Sequence, residues 1–308
     1  MNLKRGIALL VLATILWSGN YVCGRYLAPA LPSPLLNTVR WAISTAILFG
    51  ILFYMKKKIH LLANWKEFLV TGFYGIFAFS TLNYFGLSFI SASEAGMISA
   101  ATPVAILLFT PFVLKERIPL MAWIGTAISI LGVILLFQGK PADASPHSLI
   151  GEIAIILSCL SWGLYTVYGK KYGKKMDSLT MTAGASFYGT ILSAVSCIGT
   201  VEANMIHMTP ESWLAVLYVS TLASVGAFLC WNIGLNMVGA GRSAPYINLL
   251  PVWTVVLGMI LLHEKISVVS FIGGTIAILG AVLASIPRSR LDISRDDSRS
   301  VFTKTRGE

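Results

Sequence analysis

The sequence predicts an all-α integral membrane protein with ten transmembrane helices in two inverted five-helix repeats, on three observations. Hydrophobic residues make up 56% of the 308 and charged residues only 12%, with a mean hydropathy of +0.77, against roughly 25% charged in a soluble domain. Apolar runs of about 20 residues, each long enough to cross a bilayer as a helix, recur along nearly the whole chain. The second half also repeats key residues of the first at a nearly constant spacing.

The runs are bounded by charges, prolines or polar clusters. The first, 6–26, follows Lys4 and Arg5 as a signal peptide would. No A-x-A site follows it, and Val22 before Cys23 spoils a lipoprotein-type cleavage site, so it is read as a retained helix. The second, 34–55, ends at the run Lys56, Lys57 and Lys58; the third, 67–90, follows Lys66. The fourth, 95–114, lies between Glu94 and Lys115, and the fifth is 119–137. After a linker at 138–149 carrying Pro141, Asp143, Pro146 and His147 come 150–169, 179–200, 212–236, 243–262 and 268–286. The halves are therefore 6–137 and 150–286, and 287–308, without hydrophobic period, reads as a disordered cytoplasmic tail.

The formal charge of +10 would raise the question of nucleic acid in a soluble protein. Of the 23 Lys and Arg, however, all but Arg25, Arg40, Lys140 and Lys265 fall in alternate connections and the two ends. Positive residues stay on the cytoplasmic side, so both termini are expected in the cytoplasm of a multi-pass protein of the inner cell membrane, and no nucleic acid is expected as partner.

Asn83-Tyr84-Phe85-Gly86-Leu87 answers to Trp231-Asn232-Ile233-Gly234-Leu235, Pro103 to Pro251, and Lys115-Glu116-Arg117-Ile118 to His263-Glu264-Lys265-Ile266, always 148 positions on. Gly125 and Gly132 answer to Gly273 and Gly280 at the same spacing; Trp17 and Gly24 answer to Trp162 and Gly169 at 145. Five helices per half is an odd number, so the second half enters the membrane with opposite orientation. Such a repeat places a binding site near the midplane between halves, and rocking of one bundle against the other gives alternating access.

These residues resemble the drug/metabolite transporter superfamily, specifically its EamA type, in which each half carries one five-helix domain. The resemblance covers roughly 6 to 286. It rests on WSGNYVCGRYL and WGLYTVYGKKY, on NYFGLSFISASEAGMISAATPV and WNIGLNMVGAGRSAPYINLLPV, and on the LKERI and LHEKI turns, each followed by a G-x6-G helix. It implies transport; relatives export amino acids and other small metabolites, and others carry nucleotide sugars or drugs, so the cargo is left open.

Arg40 is the first candidate for a site, because a cation inside a span is costly unless it meets a wet cavity or a partner. Either it attracts a substrate carboxylate or phosphate, or it snorkels to the outer interface or binds helix-end carbonyls. Among amides in the spans, which must find hydrogen bonds, Asn20 and Asn248 are the cavity candidates. Asn83 and Asn232, one position apart in repeat alignment, suit symmetric gating or packing. Trp17, Trp162, Tyr84, Tyr165 and Tyr246 offer amphipathic surfaces that could line a pocket, and Ser99 and Thr102 are small polar residues beside Pro103. Pro103 and Pro251 lie inside spans, where each frees the carbonyl four residues earlier; both are expected to act as hinges facing the central path. The glycines of the fifth and tenth helices read as close-packing faces, which could equally serve a dimer.

Glu94, Glu152 and Glu264 all fall near span ends, so no carboxylate proton relay is visible. The four cysteines show no ligand spacing, and no catalytic constellation such as H-E-x-x-H or G-x-S-x-G is present; no enzyme activity, cofactor or metal is expected. The expected function is secondary transport of amino acids or related small metabolites, outward as the resemblance to exporting relatives implies, with a drug or nucleotide-sugar carrier as the alternative. Expected partners are a small-molecule substrate and the bilayer, the protein being a monomer or homodimer.

Overall fold

A computed structural model describes residues 2–115, 120–138, 147–173, 175–238 and 244–284. Most of the expected linker, the LKERI turn beyond Lys115 and the whole of 287–308 lie outside the described residues. Ten helical spans follow one another. The first half holds α1 (Asn2–Leu27), α2 (Ser33–Tyr54), α3 (Trp65–Leu87), a broken fourth span of α4 (Ala92–Ser99) and α5 (Thr102–Leu114), and α6 (Leu120–Gln138). The second half holds α7 (Ser148–Tyr172), α8 (Ser178–Ser196) and α9, which runs from Pro210–Thr221 through Leu222–Gly226 into Ala227–Val238. A 3₁₀ turn (Ala244–Asn248) then leads into α10 (Leu249–Leu261), and α11 (Val268–Ala284) completes the described chain.

Among the described residues, six spans are long and apolar enough to cross a bilayer alone, and α6, α10 and α11 are shorter apolar helices. Large side chains such as Phe112 and Ile198 stand about 80% exposed on the outside (81% and 79%), as a lipid-facing surface requires. Helix starts are set by local chemistry: Ser91, Asp177 and Thr209 accept the backbone N–H groups of Glu94, Thr180 and Ser212.

The repeat seen in the sequence is visible in the backbone. Lys115 and His263, repeat mates, both adopt the left-handed conformation, with φ of 58° and 53°, uncommon for non-glycine residues. The third span of each half carries a π-helical segment at matching positions, Gly72–Ala78 in α3 and Leu222–Gly226 in α9. Most telling is the α6–α11 pair. A Cβ on Gly132 would strike Ala277 and the Gly273 carbonyl, while one on Gly280 would strike Ser129 and the Gly125 carbonyl. These contacts exchange under the repeat and pair the helices antiparallel, as a two-fold axis in the membrane plane demands. The glycine faces anticipated from the sequence thus close on each other within one chain.

The halves are interleaved. The closest packing joins α1 to α9 and α10, α7 to α3 and α5, α2 to α8 and α9, and α4 to α10, so nearly every major interface joins one repeat to the other. The repeat groups the helices into two symmetry-related bodies, α1, α2, α9 and α10 and their mates α7, α8, α3 and α4–α5, with α2 packed on α8 and α4 on α10 between them. Arms exchanged in this way cannot separate along the repeat boundary without undoing most of the packing.

Candidate functional site

A cavity of about 180 Å³ lies between the two bodies, and every span except α6 and α11 contributes to its wall. Both π-helical segments face it, through Gly75 and Ile76 in α3 and their mates Ala223 and Ser224 in α9. A π segment leaves backbone carbonyls without their usual helical partners, which inside a membrane must be met otherwise. The Asn37 amide donates to the Ile76 carbonyl at 3.0 Å, Ser161 to Tyr74 at 2.8 Å, and Ser44 to Ser220 at 2.7 Å. Gly75 gives the close approach that lets the Tyr165 ring lie against α3.

The fourth and ninth spans break beside the cavity. Pro103 sits in the first turn of α5, lacking the N–H that would bond the Ser99 carbonyl, and the Thr102 hydroxyl donates to that carbonyl instead at 2.6 Å. Pro251 stands near the start of α10, after the 3₁₀ turn. The prolines therefore mark helix restarts rather than interior kinks, and both line the cavity.

Arg40 is only 6% exposed. Its Nε donates to Ser224 Oγ and its Nη1 to Tyr84 Oη, each at 2.8 Å, and the guanidinium lies 5.0 Å from the Trp41 ring centroid. It reaches the cavity wall and has no carboxylate partner among the described residues. The interface-snorkelling alternative does not describe it. Tyr84 in turn donates to Asn20 Oδ1 at 2.7 Å, so one hydroxyl ties Arg40 of α2 and Asn20 of α1 to α3. Nearby, Tyr21 and Ser99 share a hydrogen bond of 2.7 Å.

Of the residues singled out in the sequence, Trp17, Asn20, Arg40, Ser99, Thr102, Trp162, Tyr165 and Asn248 line the cavity. Tyr84 does not; it is buried behind the wall at 2% exposure with its hydroxyl engaged by Arg40 and Asn20. Tyr246 is also off the wall, because in a 3₁₀ turn of three residues per turn it points away from its neighbours Ile247 and Asn248, which are on it. Asn83 is buried outside the lining, and the Asn232 side chain lies outside the described residues. Glu152, expected near an interface, is fully buried one turn into α7. Sequence reasoning missed Tyr21, Trp41, Phe79, Thr182, Ser224 and Phe228 as wall residues; the adjacency of Trp41 to Arg40 was the available signal for one of them.

The sequence pattern of the EamA-like transporter family matches twice, at residues 4–138 and 149–286. The uncharacterized transporter YetK of Bacillus subtilis is 28% identical over 290 residues, covering 92% of this chain and 87% of the relative. An uncharacterized transporter of Archaeoglobus fulgidus is 26% identical over 287 residues, covering 92% and 98%. A crystal structure 22% identical superposes with a TM-score of 0.65 over 91% of this chain and 96% of its own, which supports the fold. With both halves matched and the paired helices, π segments and broken spans in register, this multi-pass membrane protein belongs to the EamA-like transporter family.

Proposed function

We propose that the protein is a secondary transporter that exports amino acids or related small metabolites across the cytoplasmic membrane by alternating access, with both termini in the cytoplasm. The observation that carries the cargo reading is Arg40, a buried cation at the wall of a central cavity with no acidic partner among the described residues. Such a charge is costly in a membrane interior unless it meets a wet cavity or a partner, and an anionic cargo would supply the charge partner that the wall lacks. The orientation rests on the basic residues of alternate connections. Pro103 and Pro251, where two spans restart at the cavity, serve as hinges.

The test is flux in proteoliposomes loaded with radiolabelled amino acids, other metabolite acids, nucleotide sugars and cationic dyes. Transport of an acid-bearing metabolite is expected, and Arg40→Ala lowers it at least tenfold while the protein remains in the membrane. Movement of dyes alone would replace this reading with that of a drug carrier.

A further inference from the structure

The charge and the amides of the cavity are unevenly distributed over a symmetric scaffold. Helix starts Ser33 and Ser178 keep the 145-residue offset of the first spans, which makes Ala185 the repeat mate of Arg40 and Tyr165 the mate of Asn20. At the offset of 148, Ile76 answers Ser224 and Ala100 answers Asn248. Four polar residues of α1, α2, α9 and the turn before α10 therefore face a body whose equivalent positions carry apolar or aromatic side chains. The cavity thus has a polar pole, with its charge and its amides, on one body, while the other brings Trp162, Phe79 and Ile106 together with the hydroxyls of Ser99, Thr102, Tyr165 and Thr182.

The side chains of the polar pole are short of acidic acceptors. Arg40 brings a positive charge, and the Asn248 amide nitrogen, in a side chain 6% exposed, is buried without a hydrogen-bond partner. The Asn20 oxygen already receives the Tyr84 hydroxyl. No Asp or Glu is among the described residues of the wall. Donors that lack acceptors in a buried site call for a ligand that supplies oxygen atoms, whereas an ammonium group would enter beside Arg40 with no carboxylate to meet it.

Resting on the transporter reading above, we infer that the cargo is an amphipathic monoanion: a carboxylate seated at Arg40 and Asn248, with a flat apolar body against the opposite wall and no ammonium group. The site thereby prefers deaminated acids over the amino acids of the same skeleton.

Three ligands of one skeleton test this: 3-phenylpropanoate, phenylalanine and 2-phenylethylamine, titrated against the purified full chain. The fluorescence of Trp17, Trp41 and Trp162, all in the wall, reports occupancy. The expected order has 3-phenylpropanoate binding at least tenfold more tightly than phenylalanine, with 2-phenylethylamine not competing. Asn248→Leu is expected to weaken 3-phenylpropanoate roughly tenfold, and Arg40→Lys to retain more binding than Arg40→Ala. Equal or tighter binding of phenylalanine, competition by the amine, or no saturable binding of 3-phenylpropanoate overturns the inference, and the wild-type ranking does so without any variant having to fold. Flux separates the two readings. Transport of another cargo without 3-phenylpropanoate binding removes this inference alone, whereas the expected binding order with no flux of any compound removes the transporter reading and leaves the ligand class standing.

Discussion

The Tyr84 hydroxyl accepts from Arg40 and donates to Asn20, so its loss leaves a guanidinium N–H and an amide oxygen unmatched inside the protein. Those two groups are free to turn toward each other, which pulls the cation away from the place where a carboxylate would sit. A hydrogen bond to a charged group contributes about 1.5–3 kcal/mol, and a partial loss of alignment corresponds to about tenfold in affinity. Tyr84→Phe is therefore expected to raise the KM for an acidic cargo about tenfold with little change in kcat, measured as flux against concentration in proteoliposomes. An unchanged KM would show that Ser224 and Trp41 hold Arg40 without help. Arg40 was legible from sequence because a cation inside an apolar run is rare enough to demand a reason. Tyr84 was legible only as an aromatic in a span: its position behind the wall depends on packing between α1, α2 and α3, about which its neighbours in sequence are silent.

At the scale of the elements, apolar length and bounding charges were enough to place the spans, and the glycine pattern was enough to name the closely packed helices. What the glycine pattern left open was the partner, since two small-residue faces pack equally well within a chain or between copies. The antiparallel contact of Gly132 with Ala277 and of Gly280 with Ser129 answers this for those faces. The π segments were not legible, because one extra residue per turn leaves no hydrophobic period to read; Gly72, Gly75 and Gly226 mark them only in hindsight. The α6–α11 contact also makes a symmetric prediction. Added side-chain volume in a tightly packed interface costs about 1–3 kcal/mol, and each glycine sees the backbone of the facing helix. Gly132→Val and Gly280→Val are expected to lower the thermal transition in detergent by closely similar amounts. Gly50→Val, at a position with no neighbour within 4 Å of the added Cβ, is expected to leave packing unaffected. Unequal losses at Gly132 and Gly280 would mean that the two-fold relation does not extend to the energetics.

The whole molecule consists of two interleaved bodies tied across their seam at both faces. On the face where α1 begins, Lys57 after α2 and Asp177 before α8 form an ion pair of 3.1 Å with side chains 38% and 47% exposed. Partial burial pushes the Asp177 carboxyl up, but hydrogen bonds from Thr180 and Lys57 more than offset it, leaving its pKa below the ordinary carboxylate value. An exposed pair of this kind contributes about 0–1 kcal/mol. On the far face, the turn after α10 folds Glu264 beneath the start of α4, where its carboxylate accepts the N–H groups of Ala92 at 2.7 Å and Ser93 at 2.9 Å and the Ser93 hydroxyl at 2.5 Å. Three charge-assisted bonds at a helix N-terminus make much the stronger tie. Under the alternating access proposed above the ties would have to release in turn, and on the strength of these two ties alone this state is expected to open more readily on the face where α1 begins. Removing the charge while keeping the shape, by Glu264→Gln, is expected to reverse that bias. Spin labels at Ser88 and Leu262, which share the far-face depression with Glu264, read it directly once the native cysteines have been replaced. The parent should give one short distance and the variant a second, longer population. A single unchanged distance in the variant would place the barrier to far-face opening in the packing of α4 against α10, with Glu264 serving only to cap the helix.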